Sequence, residues 1–132
     1  MTGHGSLSVR RLRPSSKDGR GSITSIFDEG AVRRLAVVHS KKGSVRGNHY
    51  HKRAGHYVYV LEGRLKLVAR LEGKTKSVIM SSGSLVWVPP IMPHSFVALT
   101  NTTALEFGPE AYSADDTVPL QEPLVKPARS RR

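Results

Sequence analysis

From residue 22 to about 107 the chain is divided into short runs of Val, Ile, Leu, Tyr, Phe and Thr, each closed by Gly, Ser or Asn. No segment keeps an apolar period of about 3.6 over ten residues, so the apolar side chains must be buried on sheets rather than on helix faces. The spacing predicts strands near Ile23–Phe27, Arg34–His39, Arg46–His51, His56–Leu61, Arg64–Leu71, Lys74–Met80, Leu85–Val88, His94–Leu99 and Thr103–Phe107. Glu62-Gly63, Glu72-Gly73 and Ser82-Gly83 supply turns. Many short strands at even spacing make a sandwich or a barrel. The β domain is read as residues 21–108, with a basic arm over 1–20 before it and a tail over 109–132 after it. Prolines at 109, 119, 123 and 127 keep that tail extended, wrapped over the surface.

The 132 residues fit one domain with a core of its own. There is no cysteine, so disulfides and thiolate metal sites are excluded. No apolar run approaches the roughly 20 residues of a membrane span, and nothing reads as a signal peptide. A soluble cytoplasmic protein is therefore expected. The net charge is +11, of which +4 lies in residues 1–20 and +3 in residues 119–132. Charge gathered at the ends reads as solvated arms, and no recognised DNA- or RNA-binding motif accompanies it. Neither a specific nucleic-acid partner nor a membrane is expected.

In His56-Tyr57-Val58-Tyr59-Val60-Leu61 both faces of the strand are bulky. A strand with one wet face alternates with polar residues. Something must cover the second face: another sheet, the N-terminal segment or a second subunit. A homodimer is the reading adopted.

The chemistry lies in Arg46-Gly47-Asn48-His49-Tyr50-His51 with His56, and in Pro89-Pro90-Ile91-Met92-Pro93-His94. Histidines two apart on a strand share a face, so His49 and His51 are placed to hold one object together. Imidazoles from other strands would complete a cage for a divalent transition metal such as Zn, Fe, Ni, Mn or Cu. The alternative is a set of interior histidines acting as acid/base groups without a metal.

These residues carry a resemblance to the cupin superfamily. Its first motif, G-x5-H-x-H-x(3,4)-E-x6-G, is met by His49, His51 and Gly63, and its second, G-x5-P-x-G-x2-H-x3-N, by Gly83, Pro89 and His94. The motif-one Glu position holds His56, and Ile91 and Ala98 replace the Gly and Asn of motif two. The resemblance covers roughly residues 30–108. It implies an all-β, double-stranded β-helix, a jelly-roll-like barrel with its site inside. It also implies metal ligands at His49, His51 and His94, with His56 as a fourth.

Arg46 to Lys52 further resembles the start of the site in cupin-type sugar-nucleotide enzymes: dTDP-4-dehydrorhamnose epimerases, dTDP-keto-sugar ketoisomerases, and the cupin domains of capsular-polysaccharide epimerase/reductases. That resemblance implies phosphate or substrate binding at Arg46 and a base or ligand at His49. Arg46 lies at the opposite pleat parity to His49 and His51, so a bulge near Gly47 is needed to aim it inward. Glu106, on the last predicted strand, is a candidate general base. Trp87 is a candidate both for packing and for substrate binding. His39, at the end of a strand, is a candidate for supporting the ligands, and His4 has no motif context. Three functions follow: an epimerase or isomerase acting on a small, anionic sugar nucleotide; a metal-dependent dioxygenase; and a binding module without turnover.

Overall fold

The structure, a computed structural model, describes residues 7–127. His4, with the rest of the first six residues, and the last five residues of the tail lie outside the described residues. The strands are β1 (Ser8–Arg11), β2 (Ser16–Asp18), β3 (Gly21–Ile23), β4 (Arg34–Ser40), β5 (Val45–His51), β6 (His56–Glu62), β7 (Arg64–Leu71), β8 (Lys74–Ser81), β9 (Ser84–Val88), β10 (His94–Ala98), β11 (Thr102–Gly108) and β12 (Thr117–Pro119), with a 3-10 turn at Ala114–Asp116. A first sheet has the order β1-β9-β6-β11-β4 and a second the order β12-β5-β10-β7-β8. From β4 to β11 the chain passes back and forth between them, the jelly-roll path.

The eight strands from β4 to β11 fall where the apolar runs predicted them. Other expectations are corrected. No pairing joins the two sheets among the described residues, so they form a sandwich rather than a closed barrel. Polar side chains on the inner faces of its strands (Arg34 and Ser40 on β4, Arg46 on β5) favour a wet cleft over a sealed seam. The stretch read as a solvated arm supplies β1, which pairs along β9, with Leu7 and Val9 packed on the core and Arg10 and Arg11 exposed. Its arginines do not oppose sheet formation because they point to water. In the proline-rich tail β12 pairs with β5, and its Pro119 sits at a sheet edge, where a missing N–H is tolerated. Thr24 to Phe27 is not strand, but its Ile26 and Phe27 pack against the first sheet.

Between the sheets Val60, Leu67, Ala69, Met80, Val86 and Val88 are fully buried, the larger of them contributing roughly 1.5–3 kcal/mol each. A second cluster lies on the outer face of the first sheet. There Tyr59, Leu85 and Phe107 are covered by Leu12, Ile26 and Phe27. Phe27 sits 5.0 Å from the Tyr57 ring and 5.5 Å from Phe107. The bulky outer face of β6 is therefore covered in part by the chain's own N-terminal segment.

The feature that positions the site is a bulge in β5. Phe96 pairs with Arg46 and His94 with His49, so one residue is extra between them. Gly47 (φ +104°) and Asn48 (φ +57°) adopt the left-handed backbone that this requires. Opposed residues in a ladder share a face, so Arg46, His49, His51, His94 and Phe96 all point between the sheets. The bend or bulge on which an inward Arg46 depended is present. A Cβ on Gly47 would stand 2.9 Å from the His94 carbonyl oxygen and 3.1 Å from Ser95 Cα. Gly47→Ala should lose about 1–3 kcal/mol in urea unfolding. Gly43→Ala, also at positive φ but in open space, should lose less.

Candidate functional site

Four imidazoles converge in the cleft. His49 and His51 come from β5, His56 from the start of β6, and His94 from the start of β10. Ring centroids are 4.8 Å apart for His49–His51, 4.9 Å for His49–His94, 5.1 Å for His51–His56 and 5.6 Å for His56–His94. Burial is the first cause holding His56 neutral, with its histidine neighbours and Arg34 adding to it, and its pKa falls to about 3. Burial also brings His94 down to about 4, against a partly opposing hydrogen bond. His49 is lowered by burial and by His51. At neutral pH His49, His56 and His94 are uncharged nitrogen bases.

Neighbours fix two of the rings. His94 Nδ1 donates to the Met92 carbonyl at 3.0 Å, which leaves the Nε2 lone pair free. His51 Nδ1 meets Thr117 Oγ1 at 3.2 Å, with Asp116 Oδ2 at 4.0 Å. Asp116, buried at the end of the 3-10 turn, accepts from the backbone N–H of Arg53 (2.8 Å) and of Ala54 (3.1 Å). Burial raises its pKa, but those two donors with Arg53 and His51 outweigh the rise, so the carboxyl lies below its usual range. The β5–β6 connection, and with it both His51 and His56, is thus braced by the C-terminal segment.

His49, His51 and His94 each offer a ligand atom, all within 4.8 Å of one another. Three nitrogens about 2.0–2.1 Å from a tetrahedral ion stand about 3.4 Å apart, so small ring movements would close this set. His56 is not part of that triad. Its Nε2 lies 4.0 Å from Glu106 Oε1, and Arg34 Nε lies 3.8 Å from the same oxygen. Glu106 faces the cleft from β11, opposite Val58 and Ala36.

Arg46 donates to Ser40 Oγ at 2.9 Å and to the His39 carbonyl at 2.8 Å. It lines an open hollow of about 520 Å³ together with Ser40, Lys41, Glu62, Asn101 and Thr102. This larger space is not the one over the histidines. A cavity of about 40 Å³ shares Ser40 and Arg46 with it and reaches Glu106. A chamber of about 60 Å³ continues from Glu106 to Arg34, His51, His56 and Thr117. The first two spaces share Ser40, Arg46 and Thr102, and the last two share Glu106.

Trp87 does not join the cleft. Trp87 pairs with Tyr57 on the outer face of the first sheet, 4.7 Å from that ring and packed over Gly55. The strand's inner positions, Val86 and Val88, point to the core instead. Trp87 as a substrate-binding residue is corrected to a packing residue. His39 is exposed, beside Thr103 Oγ1 at 3.1 Å and away from the cluster. Arg34, Tyr112, Asp116 and Thr117 were not foreseen. The Arg34 guanidinium lies over the Tyr112 ring at 4.7 Å. No local pattern marks these residues, because only strand register and the return of the tail bring them to the cleft.

Residues 36–107 match the cupin domain family. The chain belongs to that family. Among curated proteins none matches by sequence. Solved structures with the same fold include a sugar 3,4-ketoisomerase from Thermoanaerobacterium thermosaccharolyticum in complex with TDP, 17% identical over 85% of this chain and 86% of that one, TM-score 0.73. A dTDP-4-dehydrorhamnose 3,5-epimerase from Sulfolobus tokodaii is 24% identical over 83% of this chain and 73% of that one, TM-score 0.68. A 3'-monoepimerase from Streptomyces bikiniensis in complex with dTDP-quinovose is 19% identical over 84% and 67%, TM-score 0.71. At these identities the likeness is one of fold.

The neutral histidines give this site a pH dependence of known sign. Unfolded histidines titrate near 6.5, whereas His94 and His56 titrate near 4 and 3 in the fold. Between these limits the unfolded chain binds more protons, so stability is full above about pH 6.5 and falls as the pH drops toward 4. Chelator-treated protein should lose about 2 kcal/mol per histidine at pH 5 relative to pH 7.5 in urea unfolding. His56→Gln should flatten that dependence.

Proposed function

We propose that this cupin is an epimerase or isomerase acting on a nucleotide-linked keto sugar, by moving a proton at a carbon next to a carbonyl. The reading rests above all on one observation. Unprotonated His49 and His94 share the inner face of β5 and β10 with Arg46, which lines an open hollow that can accept the rest of a long anionic substrate. Arg46 keeps guanidinium donors beyond those used by Ser40 and His39, and a guanidinium suits phosphate. The related fold of a ketoisomerase solved with TDP supports the same substrate class.

In this reading His49, half-buried between His51 and His94, takes the proton from the carbon α to the carbonyl. The C–H electron pair moves into an enolate. Then either the imidazolium protonates the former carbonyl carbon while the hydroxyl proton of the first carbon passes to the old carbonyl oxygen, which shifts the carbonyl, or a second acid on the other face gives its own proton to the first carbon, which inverts it. In the second case both groups regain their starting protonation from solvent. Glu106, beside His56 and Arg34, supports a role as that second acid/base group. Burial matters here because a neutral imidazole in a low-dielectric cleft accepts a proton without losing a strong solvent shell.

A metal-assisted form of the same reaction is favoured by the fixed tautomer of His94 and by the triad within 4.8 Å. His49, His51 and His94 would hold the ion, and a divalent transition metal there would polarise the substrate carbonyl. The chain's own contribution is unchanged: Met92 and Thr117 orient two of the rings, and Arg46 holds the anionic end of the substrate.

The test is incubation with dTDP- and UDP-4-keto sugars in deuterated water, followed by NMR. Deuterium entry next to the carbonyl is expected, and His49→Gln should slow it by about 10²–10⁴. No exchange into any of these sugars would end the reading. Metal analysis of untagged protein separates the two forms: stoichiometric metal that is lost in His51→Ala, together with exchange abolished by chelator, assigns the metal-assisted one. Exchange that survives chelation assigns the reaction to the side chains alone.

A further inference from the structure

The chain leaves β11 at Gly108 and is caught again at Asp116, and the stretch between them passes across the His51–His56 end of the cleft. Both ends of that stretch are fixed. The Gly108 carbonyl accepts from the Arg33 N–H at 2.9 Å, and a Cβ on Gly108 would stand 2.9 Å from the Gly55 carbonyl oxygen. The Asp116 carbonyl accepts from the Lys52 N–H at 2.9 Å, while its carboxylate holds the N–H groups of Arg53 and Ala54. Residues 109–115 between these anchors are all exposed. Among the described residues, no hydrogen bond ties residues 109–112 to either sheet. What holds them down is the Tyr112 ring under the Arg34 guanidinium, and Tyr112 is itself 66% exposed.

Beneath this strap lies the chamber of about 60 Å³. Arg34, His51, His56 and Glu106 line it from the strands, and the strap adds Glu110 and Tyr112. The cavity of about 40 Å³ on the other side of Glu106 is smaller still. Sites for small-molecule ligands start at about 300 Å³. A ring-sized ligand cannot lie against His51 and His56 in such volumes unless a wall moves. The strand walls are held by ladder hydrogen bonds and the packed core. The strap has neither, so it is the wall that yields at least cost.

We propose that residues 109–115 are a lid over this end of the cleft, latched by Tyr112 on Arg34, which lifts to admit a ring-sized ligand to His51 and His56. An exposed cation–π contact is weak, so the latch is released without disturbing the core. Arg34 stays in place when the ring leaves, because Glu106 Oε1 remains 3.8 Å from its Nε. The fixed ends at Gly108 and Asp116 let the lid close again in register. For the reaction proposed above, which this inference extends, the ring is that of the keto sugar, and closure keeps water from the enolate.

The experiment follows labelling of single histidines by diethyl pyrocarbonate near neutral pH, read by peptide mass spectrometry on the full chain and on its Tyr112→Ala and Tyr112→Phe forms. The reagent attacks unprotonated imidazole, which His56 is at that pH. Exposed His39 reports the rate of the reagent itself. His56 should be labelled about two- to fivefold faster in Tyr112→Ala, the factor that a weak exposed cation–π contact represents. Tyr112→Phe keeps the ring and should be labelled at the parental rate. Equal His56 rates in all three forms overturn the proposal, and so does a Tyr112→Phe that is labelled as fast as Tyr112→Ala. An equal rise at His94, which does not line the chamber, marks loosening of the whole sandwich and overturns it too. The labelling needs no substrate, so the two readings fail separately. Deuterium exchange into a keto sugar with His56 labelling insensitive to Tyr112 refutes the lid alone. No exchange, with His56 labelled faster in Tyr112→Ala, refutes the sugar reaction and leaves the lid supported.

Discussion

The one extra residue in β5 decides what this cleft contains. Gly47 and Asn48 turn the backbone through left-handed angles, and the pleat restarts in the opposite phase. A cation and two imidazoles that would otherwise alternate across the sheet thereby face the same way. The bulge also ties in the tail. The Asn48 amide donates to the Val125 carbonyl at 2.9 Å and accepts from its N–H at 3.1 Å, while the Asn48 carbonyl accepts from Leu120. Asparagine serves because it tolerates positive φ and its amide pairs with backbone as another strand would. The same two residues therefore aim Arg46 and anchor the segment that carries Asp116 and Thr117 past His51.

Desolvation gives the cleft its chemical character. His49, His56 and His94 each lie next to another imidazole that would repel their proton, and burial disfavours the charged form of each. A neutral cluster of this kind serves proton abstraction and metal ligation alike, since both use the same lone pairs. Replacement of the family's motif-one carboxylate by His56 makes the cluster less acidic in composition. Glu106, on the adjacent strand, returns a carboxylate 4.0 Å from His56 rather than within the triad. Arg34 on the far side of that carboxylate keeps the charge balanced without closing the space.

Much of the fold was legible because it rests on local periodicity. Most strands from β4 to β11 are runs of apolar and aromatic residues between turn formers, and on β5 the H-x-H pair needs only the two-residue repeat to be read. The short strands β1, β2, β3 and β12 escaped, since Arg-rich, Ser-rich and Pro-containing segments carry no such period. They are strands because a neighbour offers hydrogen bonds. Trp87 was misplaced for a related reason: in a strand packed on both faces, composition does not say which face looks into the cleft.

The sequence by itself determined the class of the fold, the cupin motifs and the set of histidines, because spacing along a strand dictates which side chains travel together. It also showed that Arg46 could face inward only through a bend or bulge before Gly47, and left open whether it did. Only the tertiary structure decided that the ligand atoms of His49, His51 and His94 come within 4.8 Å of one another while His56 lies beside Glu106. It alone brought Arg34 and Asp116 to the site, and it left the sandwich open along β4. Those outcomes depend on register between strands distant in the chain and on where the tail returns, and contacts of that range leave no local pattern in the residues that make them.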